Sequence, residues 1–439
     1  MTCSVNDCVV WGISVLELQP IEEWNDSIEQ KIWILMRVWA EISFNFPFFD
    51  QVPGINWDKE VQNAIPKILV SENIIQYYDI LRELVALLDD GHTFIMPPRD
   101  EMESSDHPAL DTQMIEDKII ITRTGDSEEI NEQKIKPGLE VTEINGVSAK
   151  EYLNKNFVRY YTGGTKHWGE AFGLSKFFDG PQNSVVKLKL RNRDGSSKNV
   201  VLSRNSKQKN GENFNYQIYD YFPLVETSPI GDIIYFRLSS FIFEEIIQDF
   251  YKELDNIDLE KIQGMIFDIR YNHGGSSNIA FQILSRLIDE PLETAKWMTR
   301  KYMPAFRSWG VQEEWYEASM ETVQPSPEKR YSGPLIILTG NNTASAAEDF
   351  LVPLKYSKRA KIVGDTTAGS TGNPITIQLP GGYTLLVCSL KNTFPDGEEF
   401  VGIGIEPDIK IKTRQIDICE NRDRVLEKAV EMIQNWDKQ

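Results

Sequence analysis

From Ile230 onward the chain alternates short apolar runs with helix-like stretches: "DIIYFRL", "FEEIIQDFYKELDNI", "GMIFDIR", "NIAFQILSRLI", "PLIILTG", "SAAEDFLVPLKYS" and "AKIVG". Runs such as "PLIILTG" have no polar face, so a strand made of them must be covered on both sides. A largely parallel sheet with helices on its faces satisfies that demand. Open sheets of this kind place ligands at the C-terminal ends of their strands. Two turns rich in Gly or Ser fall there, "YNHGGSS" after "MIFDIR" and "GNNTASAAE" after "PLIILTG".

The earlier part of the chain has different textures. From Glu22 to about Asp89, "IEQKIWILMRVWAEI" and "IIQYYDILRELVALLDD" repeat apolar residues at three and four, which predicts a helical bundle. Between Leu110 and Arg204, short apolar runs such as "KIIITR" and "LEVTEING" are separated by "PG", "NG" and "DG" turns, which predicts a β-rich domain. Within it, "IKPGLEVTEINGVSAKEYL" resembles the part of a PDZ domain where a strand leads through a turn to a helix. The expected architecture is multidomain α/β, divided at 1–105, 106–205 and 206–439. The last stretch, "NRDRVLEKAVEMIQNW", reads as a terminal amphipathic helix.

Composition excludes some classes. The 46 Lys and Arg stand against 66 Asp and Glu, a formal charge of −20 that repels phosphate backbones and anionic membranes. Nucleic acid is therefore excluded as an expected partner. No run approaches the roughly 18 consecutive apolar residues of a membrane span. Cys3, Cys8, Cys388 and Cys419 have neither zinc-site spacing nor disulfide density. The N-terminal stretch lacks basic residues before its apolar patch and carries Asp7 and Glu17. That pattern favours a cytoplasmic location and leaves an extracytoplasmic one open.

Ser345 has two readings. Ser-x-x-Glu through Glu348 has the form of a capping box, in which the hydroxyl bonds the helix's own amides. The same position meets the positive end of a helix dipole, where a hydroxyl can act as nucleophile and the following amides can hold an oxyanion. Gly274 and Gly275 suit either a tight turn or the close approach of backbone amides to a ligand. A serine nucleophile needs a base, and the four histidines are His92, His107, His167 and His273. His92 follows a helix end, where it could instead bond free carbonyls. His273 reads as a wall of a site.

Taken in order, "LLDDGHT", "FDIRYNHGG", "TASAAEDF" and "IVGDTTAGSTG", with "INWDKE" before them and "VGIGIEPDI" after, resemble the tail-specific, or C-terminal-processing, serine peptidase family. The similarity runs from about Pro20 to Ile411. It implies a helical N-terminal domain, a PDZ-like domain and a crotonase-like α/β catalytic domain. It further implies Ser345 as nucleophile, oxyanion amides from Ala346 and Gly274, a peptide or unfolded-protein substrate, and no cofactor or metal. Homo-oligomer formation is left open.

The chain departs from the family's commoner design, because Ser370 stands where that branch carries a lysine base. The tricorn-like branch uses a histidine, which falls on His92, with a second serine and a glutamate. Gly91 replaces that serine. Three residues are candidates to orient His92: Glu399, Thr93 and Ser370, of which Glu399 best matches the branch's glutamate. A solvated turn is the alternative for "DGEE". No Gly-rich amide loop is evident near "PALDTQMIEDK", so carboxylate recognition by the PDZ-like region is not implied. Two other functions are compatible with the same fold: a binding protein without hydrolysis, holding lipid or peptide, and a crotonase-type acyl-thioester enzyme.

Overall fold

The computed structural model describes residues 23–98, 105–209, 223–319 and 321–436. The N-terminal patch with Cys3 and Cys8 lies outside the described residues.

Among the described residues three helices come first, Ile28–Asn45, Trp57–Leu69 and Ile74–Ala86. Ser27, Asn56 and Asn73 start them, each accepting a hydrogen bond from the amide three residues on. The first buries the stripe Ile34, Leu35, Val38 and Ile42, as its three-and-four spacing requires.

Residues 105–203 carry an antiparallel sheet in the order Leu110–Ile115, Lys118–Thr124, Glu140–Ile144, Val185–Arg191, Ser197–Ser203. A tight turn with Asn145 and Gly146 at positive φ returns the chain through Val147–Ser148 into the helix Ala149–Asn156. This unit has its own core, including Leu110, Ile119, Val141, Phe177 and Leu188.

The second large sheet has six strands in the order Val225–Ile230, Ile233–Leu238, Gly264–Asp268, Leu335–Thr339, Lys361–Gly364, Ile409–Lys410. Only the first pair is antiparallel. Its central strands are buried throughout. On one face Ile266, Ile336 and Leu338 pack under the terminal helix Arg424–Gln434 through Val425, Met432 and Ile433. Each of those three buried side chains contributes about 1.5–3 kcal/mol. On the other face Met265, Phe267, Leu335 and Ile337 share one continuous core with the N-terminal helices and the helices Ser277–Ser285 and Ala346–Tyr356. The whole is a mixed α/β multidomain fold.

Antiparallel additions lie outside the strand–helix alternation. One is a three-stranded sheet in which Phe94–Met96 pairs with Thr384–Val387, itself paired with Ile375–Gln378. The register sets Phe94 opposite Leu386. The Cys388 amide also donates to Thr93 Oγ1 at 3.0 Å. This pairing carries the end of the helical region, with His92, against the sheet that holds Thr384–Val387. Among the described residues, no helix is long and apolar enough to cross a membrane.

Candidate active site

The strand Leu335–Thr339 ends in a turn that delivers Ser345 to the start of the helix Ala346–Tyr356. Neighbouring turns pin it. Thr343 Oγ1 donates to Ile269 O at 2.9 Å, the Ala344 amide to Asn272 O at 3.1 Å, and the Ser345 amide to Ser370 O at 2.7 Å. Ser345 is thereby held at φ 56° and ψ −127°. That conformation costs a non-glycine residue about 1–3 kcal/mol and persists only where surroundings over-determine it.

The capping box does not form. The Ser345 hydroxyl makes no cap hydrogen bond. Instead Ser345 Oγ lies 3.2 Å from His92 Nε2, across a sequence separation of 253 residues. Glu348, the other half of that box, is fully buried and turns away: Oε1 accepts from Thr367 Oγ1 at 2.5 Å and from the Gly369 amide at 2.8 Å, and Oε2 accepts from the Ser370 amide at 2.8 Å. Burial pushes its carboxyl up to about 7, the three donors opposing that shift.

His92 does not bond the carbonyls of the preceding helix through its ring. Its Nδ1 lies 2.8 Å from Ser370 Oγ, so both ring nitrogens face serine hydroxyls. Its backbone amide donates to Asp90 Oδ2 at 3.2 Å. Removal from water pushes the imidazole down to about 4, and no carboxylate touches the ring to oppose it. Beside it, Trp168 Nε1 donates to Tyr161 OH at 3.0 Å, and that hydroxyl donates to Gly91 O at 2.7 Å. Sequence reasoning missed this support, because nothing in the spacing of Tyr161 and Trp168 links them to Gly91.

Glu399 is not at the site. It is exposed, with Lys391 Nζ 3.5 Å from its Oε1, while both nitrogens of His92 are satisfied elsewhere. The expectation that it orients His92 is therefore corrected in favour of Ser370, which the sequence offered as an alternative. Thr93 is also engaged elsewhere, by the Cys388 amide. Glu399→Gln is expected to change kcat and KM by less than about twofold, since an exposed ion pair contributes only about 0–1 kcal/mol. A tenfold fall in kcat for this variant would return Glu399 to the mechanism.

At the Gly274 turn the sequence expectation needs a second correction. The Gly274 amide donates to Asn272 Oδ1 at 2.8 Å and is already engaged. Among the described residues, the amides of Gly275 and Ala346 donate to no protein acceptor. Gly274 contributes through its missing side chain: at φ 93°, a Cβ there would lie 2.6 Å from both Ala346 N and Ser345 Cβ. The turn is anchored from behind by Arg270, whose Nη2 lies 2.6 Å from Asp268 Oδ2 and 2.6 Å from Asp423 Oδ2. His273 presents its ring edge-on to Trp168 at 5.3 Å. His167 places Nε2 at 2.7 Å from Thr367 O, and His107 places Nδ1 at 3.0 Å from Pro108 O.

The carboxy-terminal processing protease CtpA of Bacillus subtilis is 22% identical over 337 residues, covering 75% of this chain and 62% of its own length. CtpB of the same organism is 23% identical over 379 residues, covering 81% of this chain and 69% of its own. The chain thus spans about three-fifths of the first relative's length. Among solved structures, mature CPAF complexed with lactacystin superposes with a TM-score of 0.74 at 17% identity, covering 93% of this chain and 99% of that one. At that identity the likeness establishes the fold. Residues 232–411, which contain both the Gly274 turn and Ser345, match the model of peptidase family S41.

Proposed function

We propose that the protein is a serine endopeptidase that cleaves peptides or unfolded protein segments through an acyl-enzyme. The observation that carries this reading is the 3.2 Å approach of Ser345 Oγ to His92 Nε2, with His92 Nδ1 anchored on Ser370. In the productive tautomer Nδ1–H donates to Ser370 Oγ, which leaves the Nε2 lone pair for the Ser345 proton. Ser345 Oγ attacks the scissile carbonyl carbon as its proton passes to Nε2, and the carbonyl oxygen becomes an oxyanion. The amides of Ala346 and Gly275 receive it, because that of Gly274 is engaged. Collapse of the intermediate breaks the C–N bond while Nε2–H protonates the leaving amine. Water then repeats the sequence on the acyl-enzyme and releases the acid.

A cleft of about 710 Å³ supports a peptide substrate. It runs between the sheet edge Leu110–Ile115, the helix Lys166–Ser175 and the turn residues Tyr271, Asn341 and Asn342. That edge offers an extended chain a strand to pair with. Gln113 Nε2 donates to Tyr271 OH at 2.9 Å and links the edge to the turn that carries Gly274. On this reading residues 106–205 are the PDZ-like domain, 1–105 the helical domain and 206–439 a crotonase-like catalytic domain. The histidine base aligns the chain with the tricorn-like branch.

A fluorophosphonate probe tests the proposal. Labelling mapped to Ser345, with hydrolysis of dye-quenched casein blocked by the label, supports it; an unlabelled Ser345 and no hydrolysis reject it. The labelling rate also reports the base. Neutral imidazole is the active form, so with His92 near 4 its own protonation is expected to lower the rate tenfold per unit only below about 4, while an earlier fall near 7 would report protonation of the buried Glu348. An acid limb at about 6.5 that persists in Glu348→Gln would show an imidazole open to water.

A further inference from the structure

We infer that Ser370, clamped by Glu348, is the positioning pair for the base, a role for which the motif order favoured Glu399 among three candidates. The inference rests on the serine-peptidase reading above. Ser370 engages three partners at once. Its Oγ lies 2.8 Å from His92 Nδ1, its carbonyl accepts the Ser345 amide at 2.7 Å, and its own amide donates to Glu348 Oε2 at 2.8 Å. One residue thus sets both the ring of the base and the backbone of the nucleophile. Its fully buried partner Glu348 holds the turn by two further bonds, from Thr367 Oγ1 and the Gly369 amide.

Gly91 supplies an independent observation. It has no left-handed φ, so its missing side chain answers to space and not to backbone conformation. A Cβ at that position would lie 2.2 Å from Ser370 Oγ. The glycine before the histidine therefore makes room for a hydroxyl arriving from residue 370. Chemically, the hydroxyl oxygen accepts Nδ1–H in the productive tautomer and keeps accepting it in the imidazolium formed during attack. Glu348 does not touch His92. It acts by fixing where Ser370 stands, and its isosteric amide would set an NH2 group against backbone N–H donors.

The test uses the full chain, the fluorophosphonate labelling rate at Ser345, and kcat and KM on dye-quenched casein. Ser370→Ala and Glu348→Gln are each expected to lower labelling and kcat at least about tenfold, with KM held within about twofold, since positioning a base acts on the reaction path. If Glu348 acts through Ser370, the double variant is slower than the slower single one by no more than about threefold. A thermal unfolding curve accompanies each variant. Ser370→Ala labelling within about twofold of the unchanged protein would overturn the role of Ser370. Multiplying losses in the double variant would overturn the clamp and leave Glu348 a separate scaffold. Absence of labelling in the unchanged protein would instead remove the serine-peptidase reading itself.

Discussion

Ser345→Ala is expected to lower peptide hydrolysis by on the order of 10⁴-fold or more, leaving only what binding and the oxyanion amides supply without a nucleophile. The fold should be nearly unaffected. The hydroxyl makes no cap bond, so its removal costs less than the about 1 kcal/mol of a lost N-cap, and alanine inherits the same strained backbone. The measurement is turnover of dye-quenched casein together with a thermal unfolding curve. Turnover within about tenfold of the unchanged protein would end the assignment of Ser345 as nucleophile. A large loss of stability would show that the turn depends on the hydroxyl in a way the observed bonds do not.

His92→Ala is the second large effect. Removing a general base costs about 10²- to 10⁴-fold, and here it also removes the only side chain bonded to the Ser345 hydroxyl among the described residues. Labelling by fluorophosphonate should fall with kcat, because both require an activated oxygen, while KM for casein changes little. Added imidazole is expected to restore part of the labelling, since the vacated space lies between Ser345 Oγ and Ser370 Oγ. Labelling at the unchanged rate would mean that another group activates Ser345, and no other histidine ring bonds that hydroxyl among the described residues.

The choice of a hydroxyl over a carboxylate beside the imidazole has a consequence for rate and pH together. A carboxylate would stabilise imidazolium and raise its pKa; Ser370 Oγ is neutral, and burial prevails, so the base sits near 4. Such a base is weaker per proton transfer but stays unprotonated across the acidic range. An imidazole limb well below the ordinary value of about 6.5 is the expected signature.

The Ser345 and Glu348 pair shows where sequence reasoning stops. Ser-x-x-Glu at a helix start has a local explanation, reciprocal capping, that needs no tertiary contact. In the fold both side chains leave that pattern, the serine for His92 and the glutamate for the 367–370 turn. No local rule distinguishes the two outcomes, because a capping residue and a nucleophile at a helix start share residue type and position. Glu399 fails for a related reason. Its place in a motif is one-dimensional, and its exposed turn pairs with Lys391, away from the base.

The elements themselves were legible because they follow from local chemistry. Apolar runs such as "IILT" cannot face water on either side and so become buried central strands; three-and-four spacing makes helices; Asn-Gly makes the turn before Val147. Ser345, Ala346 and His92 were legible as candidates from residue type and motif order. What only the tertiary structure decided is which of them meet. The pairing of Phe94–Met96 with Thr384–Val387 brings His92 across 253 positions to Ser345, and the absence of a side chain at Gly91 lets Ser370 reach the far nitrogen. Strand pairing over such separations is selected by the packing of the whole core, and the placement that sets Ser370 and not Glu399 against His92 exists only once that core has closed.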